Sequence, residues 1–232
     1  MSVYMTETEQ LQAIKQWWRH YSTPILIVLT LLMLALAGYQ YWSWHSAKML
    51  TRASNAYEQL MVVFSEHNNQ EIKIRANQLL RDYGATVYAD VAKMTLAKIY
   101  VDEDDFDSAL SLLRDIANNS KVLAFKQIAK IRIARLLISE RSFNKATQQL
   151  AMVDDNSYLS IINELQGDIS VATGQYDHAI ILYKKALNET KEHGLGNLFL
   201  EMKTNDLIAM MQSQVNKQHI TVPALNSRIN LG

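Results

Sequence analysis

Residues 25–44 constrain this chain more than any other stretch. No Lys, Arg, Asp or Glu occurs in the 28 residues between Arg19 and Lys48, and residues 25–37 are apolar apart from Thr30. A bilayer core takes about 20 helical residues to cross, and a helix satisfies its own backbone donors and acceptors, as lipid requires. Rings flank the stretch, with Trp17, Trp18 and Tyr21 before it and Tyr39, Tyr41, Trp42 and Trp44 after it. Amphipathic rings favour the two headgroup layers, so these residues are expected as membrane-interface anchors. A buried helix of a soluble domain would not need rings gathered at both ends. The expectation is a transmembrane helix over residues 24–44, with Pro24 in its first turn. It is too long for a cleavable signal peptide, and Tyr39-Gln40-Tyr41-Trp42 stands where a small-residue cleavage site would lie. It reads as an uncleaved anchor.

Residues 1–23 form a short tail. Thr6 with Glu9 three residues on fits a capping box. Leu11, Ile14, Trp17, Trp18 and Tyr21 then recur at helical spacing, which predicts an amphipathic helix lying in the interface. Orientation should follow the basic residues near the span. Lys15 and Arg19 precede it and Lys48 and Arg52 follow it, so charge leaves the direction open.

Charge is balanced over the whole chain, 23 basic against 23 acidic residues, which argues against a nucleic-acid surface driven by bulk charge. Zero Cys excludes disulfides, thiolate metal sites and a Cys nucleophile. The six His make no ligand spacing, and there is no glycine-rich phosphate loop or G-x-S-x-G elbow. Residues 102–105 with Asp107 suggest calcium, but an EF-hand loop opening at Asp102 would need an oxygen ligand at Phe106 and Glu at Leu113. A solvated inter-helix turn fits better. No spacing predicts catalysis, a metal or a cofactor.

Of seven Gly and two Pro, only Gly38 and Pro24 precede Ala47, and the rest are thinly spread through a sequence rich in helix formers. No run alternates with period two for long enough to suggest a sheet. Within this all-α region a repeat stands out. Phe106-Asp107-Ser108-Ala109 matches Phe143-Asn144-Lys145-Ala146 and Tyr176-Asp177-His178-Ala179. Twelve residues before each alanine stands a small residue, Ala97, Ala134 or Gly167, and four after it a bulky one, Leu113, Leu150 or Tyr183. A weaker copy precedes them, with Ala76 and Leu80 but Lys73 in the aromatic position. The alanine spacings are 33, 37 and 33, and the longer one fits a loop around Asn118-Asn119-Ser120.

That pattern is similar to tetratricopeptide repeats, whose unit is a 34-residue helical hairpin. Small residues let the two helices approach, the aromatic fills the space beside the turn, and stacked neighbours cover each hairpin's bare face. The opening Trp and closing Pro of the consensus are absent. The fold expected is therefore all-α, a single N-terminal transmembrane helix followed by a tetratricopeptide-like α-solenoid over residues 45–215. Residues 55–65 would be the first helix of the weak copy, and residues 196–215 a capping helix. Residues 216–232 are polar, interrupted by Pro223, and expected to be poorly ordered.

Such solenoids offer a concave groove lined by their first helices. By the alignment its residues are Met94, Lys98, Val101, Ile131, Arg135, Ile138, Glu164, Asp168 and Val171. Only Lys98 and Arg135 could hold a C-terminal carboxylate, and Glu164 and Asp168 oppose them. An apolar partner segment or a broad protein surface is easier to accommodate.

The layout resembles the YfgM-type proteins of Gram-negative bacteria, ancillary subunits of the SecYEG translocon. The residues that carry the resemblance are Glu9-Gln10, Ala13-Ile14-Lys15, Trp17-Trp18 and Gly38-Tyr39-Gln40-Tyr41-Trp42. Ala53-Ser54, Ala56-Tyr57, Tyr88-Ala89, Leu96-Ala97, Arg132, Ala134-Arg135, Leu165-Gln166-Gly167 and Met202-Lys203 extend it. The resemblance implies a bacterial inner-membrane protein with a cytoplasmic N-terminus and periplasmic repeats. It also implies association with the translocon and with a PpiD-type, membrane-anchored chaperone, as a non-enzymatic adaptor that aids hand-over of secreted chains. The other reading is a tetratricopeptide scaffold for a different envelope machine, such as secretion or pilus assembly.

Overall fold

The computed structural model describes residues 7–192 and 197–221, and every regular element in them is helical. Helix α1 (Glu7–Ser65) is one continuous element of 59 residues. The order then runs α2 (Asn69–Tyr83), α3 (Val87–Asp102), α4 (Phe106–Asn119), α5 (Leu123–Ser139), α6 (Phe143–Ala151), a single 3-10 turn (Asn156–Tyr158), α7 (Leu159–Ala172), α8 (Tyr176–Glu192) and α9 (Leu198–Thr221).

Three expected elements are thus one. The tail helix, the span and residues 55–65 merge in α1, with Pro24 inside it rather than at its start. A proline removes one amide donor and crowds the carbonyl four residues earlier, a cost that helices in lipid tolerate. After Pro24 no residue up to Ser65 breaks a helix except Gly38, so the boundary expected at residue 44 has no physical cause. Thr6 lies outside the described residues. At the other end, α9 runs past residue 215 because the first breaker is Pro223, and the residue before a proline avoids the α region. Residues 222–232 lie outside the described part.

The apolar part of α1 is exposed along its whole length, none of it covered by the rest of the protein. Leu31 and Leu34 are 61% and 64% exposed. An apolar surface of this extent is not left in water. That excludes the core-helix alternative. The rings Trp17, Trp18 and Tyr21 are exposed before this surface and Tyr39, Tyr41, Trp42 and Trp44 after it, with the Lys48 ammonium over the Trp44 ring.

Beyond Trp44, α1 becomes the first helix of the first hairpin, burying Ala53 and Leu60 completely. Overlapping apolar clusters follow the chain. The first joins Leu60, Ala76 and Leu96, the next Ala97, Ala109, Leu113 and Ala146. The third unites Ala134, Leu150 and Leu165, and the last Ala179, Tyr183 and Leu200. Each helix packs mainly on its sequence neighbours, which is the quasi-one-dimensional core of a solenoid. The fully buried alanines 76, 109, 146 and 179 are the repeat positions read from sequence.

The four hairpin turns share one geometry. His67, Asp104, Arg141 and Gly174, at φ of 58°, 61°, 58° and 76°, each precede a helix by two residues. The left-handed conformation there lets the chain reverse over a tight turn. Only the last copy uses glycine, which adopts it without strain. The weak first copy is therefore a full repeat. Its Lys73, in the aromatic position, reaches over the Tyr100 ring and pairs with Glu103.

The loop expected around residues 118–120 begins two residues later, at Ser120. Helix α4 continues through Asn118 and Asn119, leaving a three-residue connection to α5. Asn119 is held by Asp115, whose carboxylate also lies 2.7 Å from the Lys93 ammonium. Burial is the largest influence on Lys93 and works against its charge, but the bonds and charges of Asp115 and Asp90 together outweigh it and raise the ammonium's pKa. The bond from Lys93, with that from Asn119, lowers the Asp115 carboxyl. A lowered acid contributes stability above the ordinary carboxylate pKa of about 4 and loses it as pH falls through the lowered value. A raised lysine contributes below about 10.4 and loses it as pH rises through the raised value. Asp115→Asn is accordingly expected to lower the unfolding temperature between those limits and to match the parent at the acid end. Because Asp115 is 43% exposed, the deficit is under about 1 kcal/mol. Thermal unfolding followed across pH checks this, and a deficit unchanged at the acid end would refute it.

Candidate partner-binding groove

The first helices α3, α5 and α7 carry the residues expected to line a groove. Met94 and Ile131 do not face it, being buried in successive core clusters. Their period on the helix matched the groove face, yet in a degenerate repeat that face is partly used for stacking. Val101 and Ile138 are half-buried against the same clusters, and Val171 against the last one.

Lys98, Val101 and Arg135 do come together. They line an open pocket of about 250 Å³ between α3 and α5 with Ala97, Leu113, Arg132 and Leu136. Its floor is aliphatic and its rim cationic. Lys98 is paired with Asp102 one turn on, at 2.5 Å. Among the described residues, Arg132 and Arg135 have no acidic partner. Desolvation and the neighbouring Arg135 push the Arg132 guanidinium below its ordinary pKa, and a guanidinium so shifted remains charged. Arg132 was missed as a groove residue, although it lies three residues before Arg135 and hence on the same helix face.

Glu164 and Asp168 play a different part. Both accept from Lys203 of α9, at 3.2 Å and 2.5 Å, and Asp168 also accepts from the Tyr183 hydroxyl at 2.6 Å. The ammonium lies over the Tyr183 ring. Burial, then the bond to Asp168, drives the Tyr183 phenol upward, so it stays a donor. These carboxylates fasten the capping helix and do not oppose the arginines. Their partner is 39 and 35 residues away, a pairing that no local period reports.

The hairpins, their stacking and their turns agree with one external result. A family model described as a tetratricopeptide repeat-like domain matches residues 15–209. The chain belongs to that family.

The tetratricopeptide-like solenoid, with its N-terminal transmembrane helix, also has curated relatives along most of its length. One from Aggregatibacter actinomycetemcomitans is 25% identical over 209 residues, 89% of this chain and all of the relative. Another from Haemophilus influenzae is 24% identical over the same shares. A third from Escherichia coli K12 is 22% identical over 89% of this chain and 99% of the relative. Each is described as an ancillary SecYEG translocon subunit, in keeping with the YfgM-type resemblance. No solved structure matches the chain significantly.

Proposed function

We propose that this protein is a non-enzymatic, membrane-anchored adaptor of the SecYEG translocon. The supporting observation is that relatives so described align with it through span and solenoid alike. In this reading the N-terminus is cytoplasmic and the solenoid periplasmic, in the inner membrane. A reporter fused to the C-terminus that is active only in the cytoplasm should be silent. Activity would refute the orientation.

The anchor confines the solenoid to two dimensions beside its partners and raises their effective concentration. The pocket between α3 and α5 then takes an apolar segment bearing a carboxylate, from a PpiD-type chaperone that receives secreted chains. Aliphatic walls bind its side chain, and the two unpaired guanidiniums bind the acid bidentately. Arg132→Glu with Arg135→Glu is expected to cut chaperone copurification about tenfold, the loss of roughly 1.4 kcal/mol, while the protein stays folded and in the membrane. Undiminished recovery would remove the pocket from the reading. Crosslinks from position 135 to another envelope assembly instead would favour the scaffold alternative.

A further inference from the structure

The two edges of the solenoid differ in chemistry. Helix α1 leaves the span and enters the first hairpin, so α3, α5, α7 and α9 start at the edge nearer the membrane and α2, α4, α6 and α8 return to it. The far edge carries the hairpin turns, and residues 66–68, 103–105, 140–142 and 173–175 are all polar or glycine. At the near edge, exposed apolar residues stand in or beside the connections between repeats. Val87 opens α3 and Leu123 opens α5, 37% and 61% exposed, Met152 follows the end of α6 and Leu198 opens α9. Exposed apolar residues elsewhere, such as Ile74 and Ile181, stand singly on helix flanks, which is ordinary.

The height of the near edge follows from a cleft of about 670 Å³. One wall is α1 from Trp42 to Leu50, and the other is formed by Gly84, Val87, Lys121 and Val122. The connections α2–α3 and α4–α5 thus reach back along α1 to Trp42, one of the rings that closes the span. Lys121 is exposed and, among the described residues, makes no ion pair. We propose that this edge lies in the lipid headgroup layer, with Leu123 and Val87 inserted among the acyl-chain ends and Lys121 on lipid phosphate. Apolar tips beside a cationic side chain are what an interfacial surface requires. The occupant is lipid rather than protein because Val87, and Val122 next to Leu123, share one cleft with Trp42, which makes the patch continuous with the end of the span. The solenoid would then stand edge-on, its groove opening parallel to the membrane, whichever partner it carries.

The chain has no cysteine, so single cysteines can be placed in the full-length protein. Leu123→Cys, Asp104→Cys and Trp42→Cys, each labelled with nitrobenzoxadiazole, would be studied alone in phosphatidylethanolamine–phosphatidylglycerol nanodiscs. Part of the lipid would carry bromine on the acyl chain. Position 42 reports insertion. Quenching at 123 is expected to exceed that at 104 at least about threefold, and Val87→Glu should reduce it. Equal quenching at 123 and 104, at whatever level, would overturn the proposal, as it would if a second copy or another protein covered this edge.

Discussion

Gly167→Ala is expected to destabilise the C-terminal half of the solenoid by about 1–2 kcal/mol, and Gly167→Val by about 3. In the middle of α7, alanine alone would gain up to about 1 kcal/mol over glycine from helix propensity. Against that, a Cβ at 167 would stand 2.4 Å and 2.6 Å from two ring carbons of Tyr183. The ring cannot swing away. Tyr183 is 2% exposed, its hydroxyl donates to Asp168, and Lys203 covers one face. Overpacking therefore outweighs propensity. The same argument reverses the sign once the ring is gone, and in a Tyr183→Val background Gly167→Ala should be neutral or stabilising. Thermal unfolding in detergent gives both signs, and hydrogen exchange should place the weakening in α7–α9. A stabilised Gly167→Ala single variant would contradict the close packing on which the repeat depends.

Gly167 and Tyr183 also show what sequence can and cannot tell. Their positions were legible, because a small residue and a bulky one recur at fixed offsets from each repeat alanine. Their pairing was not, since the bulky residue was expected on the next hairpin and Tyr183 packs on Gly167 of its own. The span was legible too, since lipid solvation needs only length and apolarity. Two kinds of feature were not. Helix continuity through Pro24 and residues 45–54 depends on the absence of a strong stop, while the change from lipid to core made a boundary look natural. The groove was half legible. Period put Met94 and Ile131 on its face, but stacking buried them. Lys203 took Glu164 and Asp168 from 39 and 35 positions away, so the net charge of the pocket emerged only in three dimensions.

The continuity of α1 makes the anchor a shaft rather than a tether, and this can be measured by changing its phase. Ala53 and Leu60, completely buried, fix the rotation of α1 within the first hairpin. No break separates them from the span. Inserting two alanines between His45 and Ser46 would turn the solenoid by about 200° about the α1 axis and raise it by only about 3 Å. Inserting seven would bring it to within about 20° of its original direction and raise it by about 10 Å. The first keeps height and loses direction, and the second does the reverse. With two alanines, translocon copurification is expected to fall about tenfold, although the protein remains in the membrane. With seven it should be largely retained, while lipid quenching at position 123 disappears. A tether would pass neither change on, so wild-type recovery from both insertions would show that the helix merely holds the solenoid near its partners. Loss from both would show that height above the bilayer counts as well as direction, and loss with seven alanines alone would make height, and not direction, the property that the shaft sets.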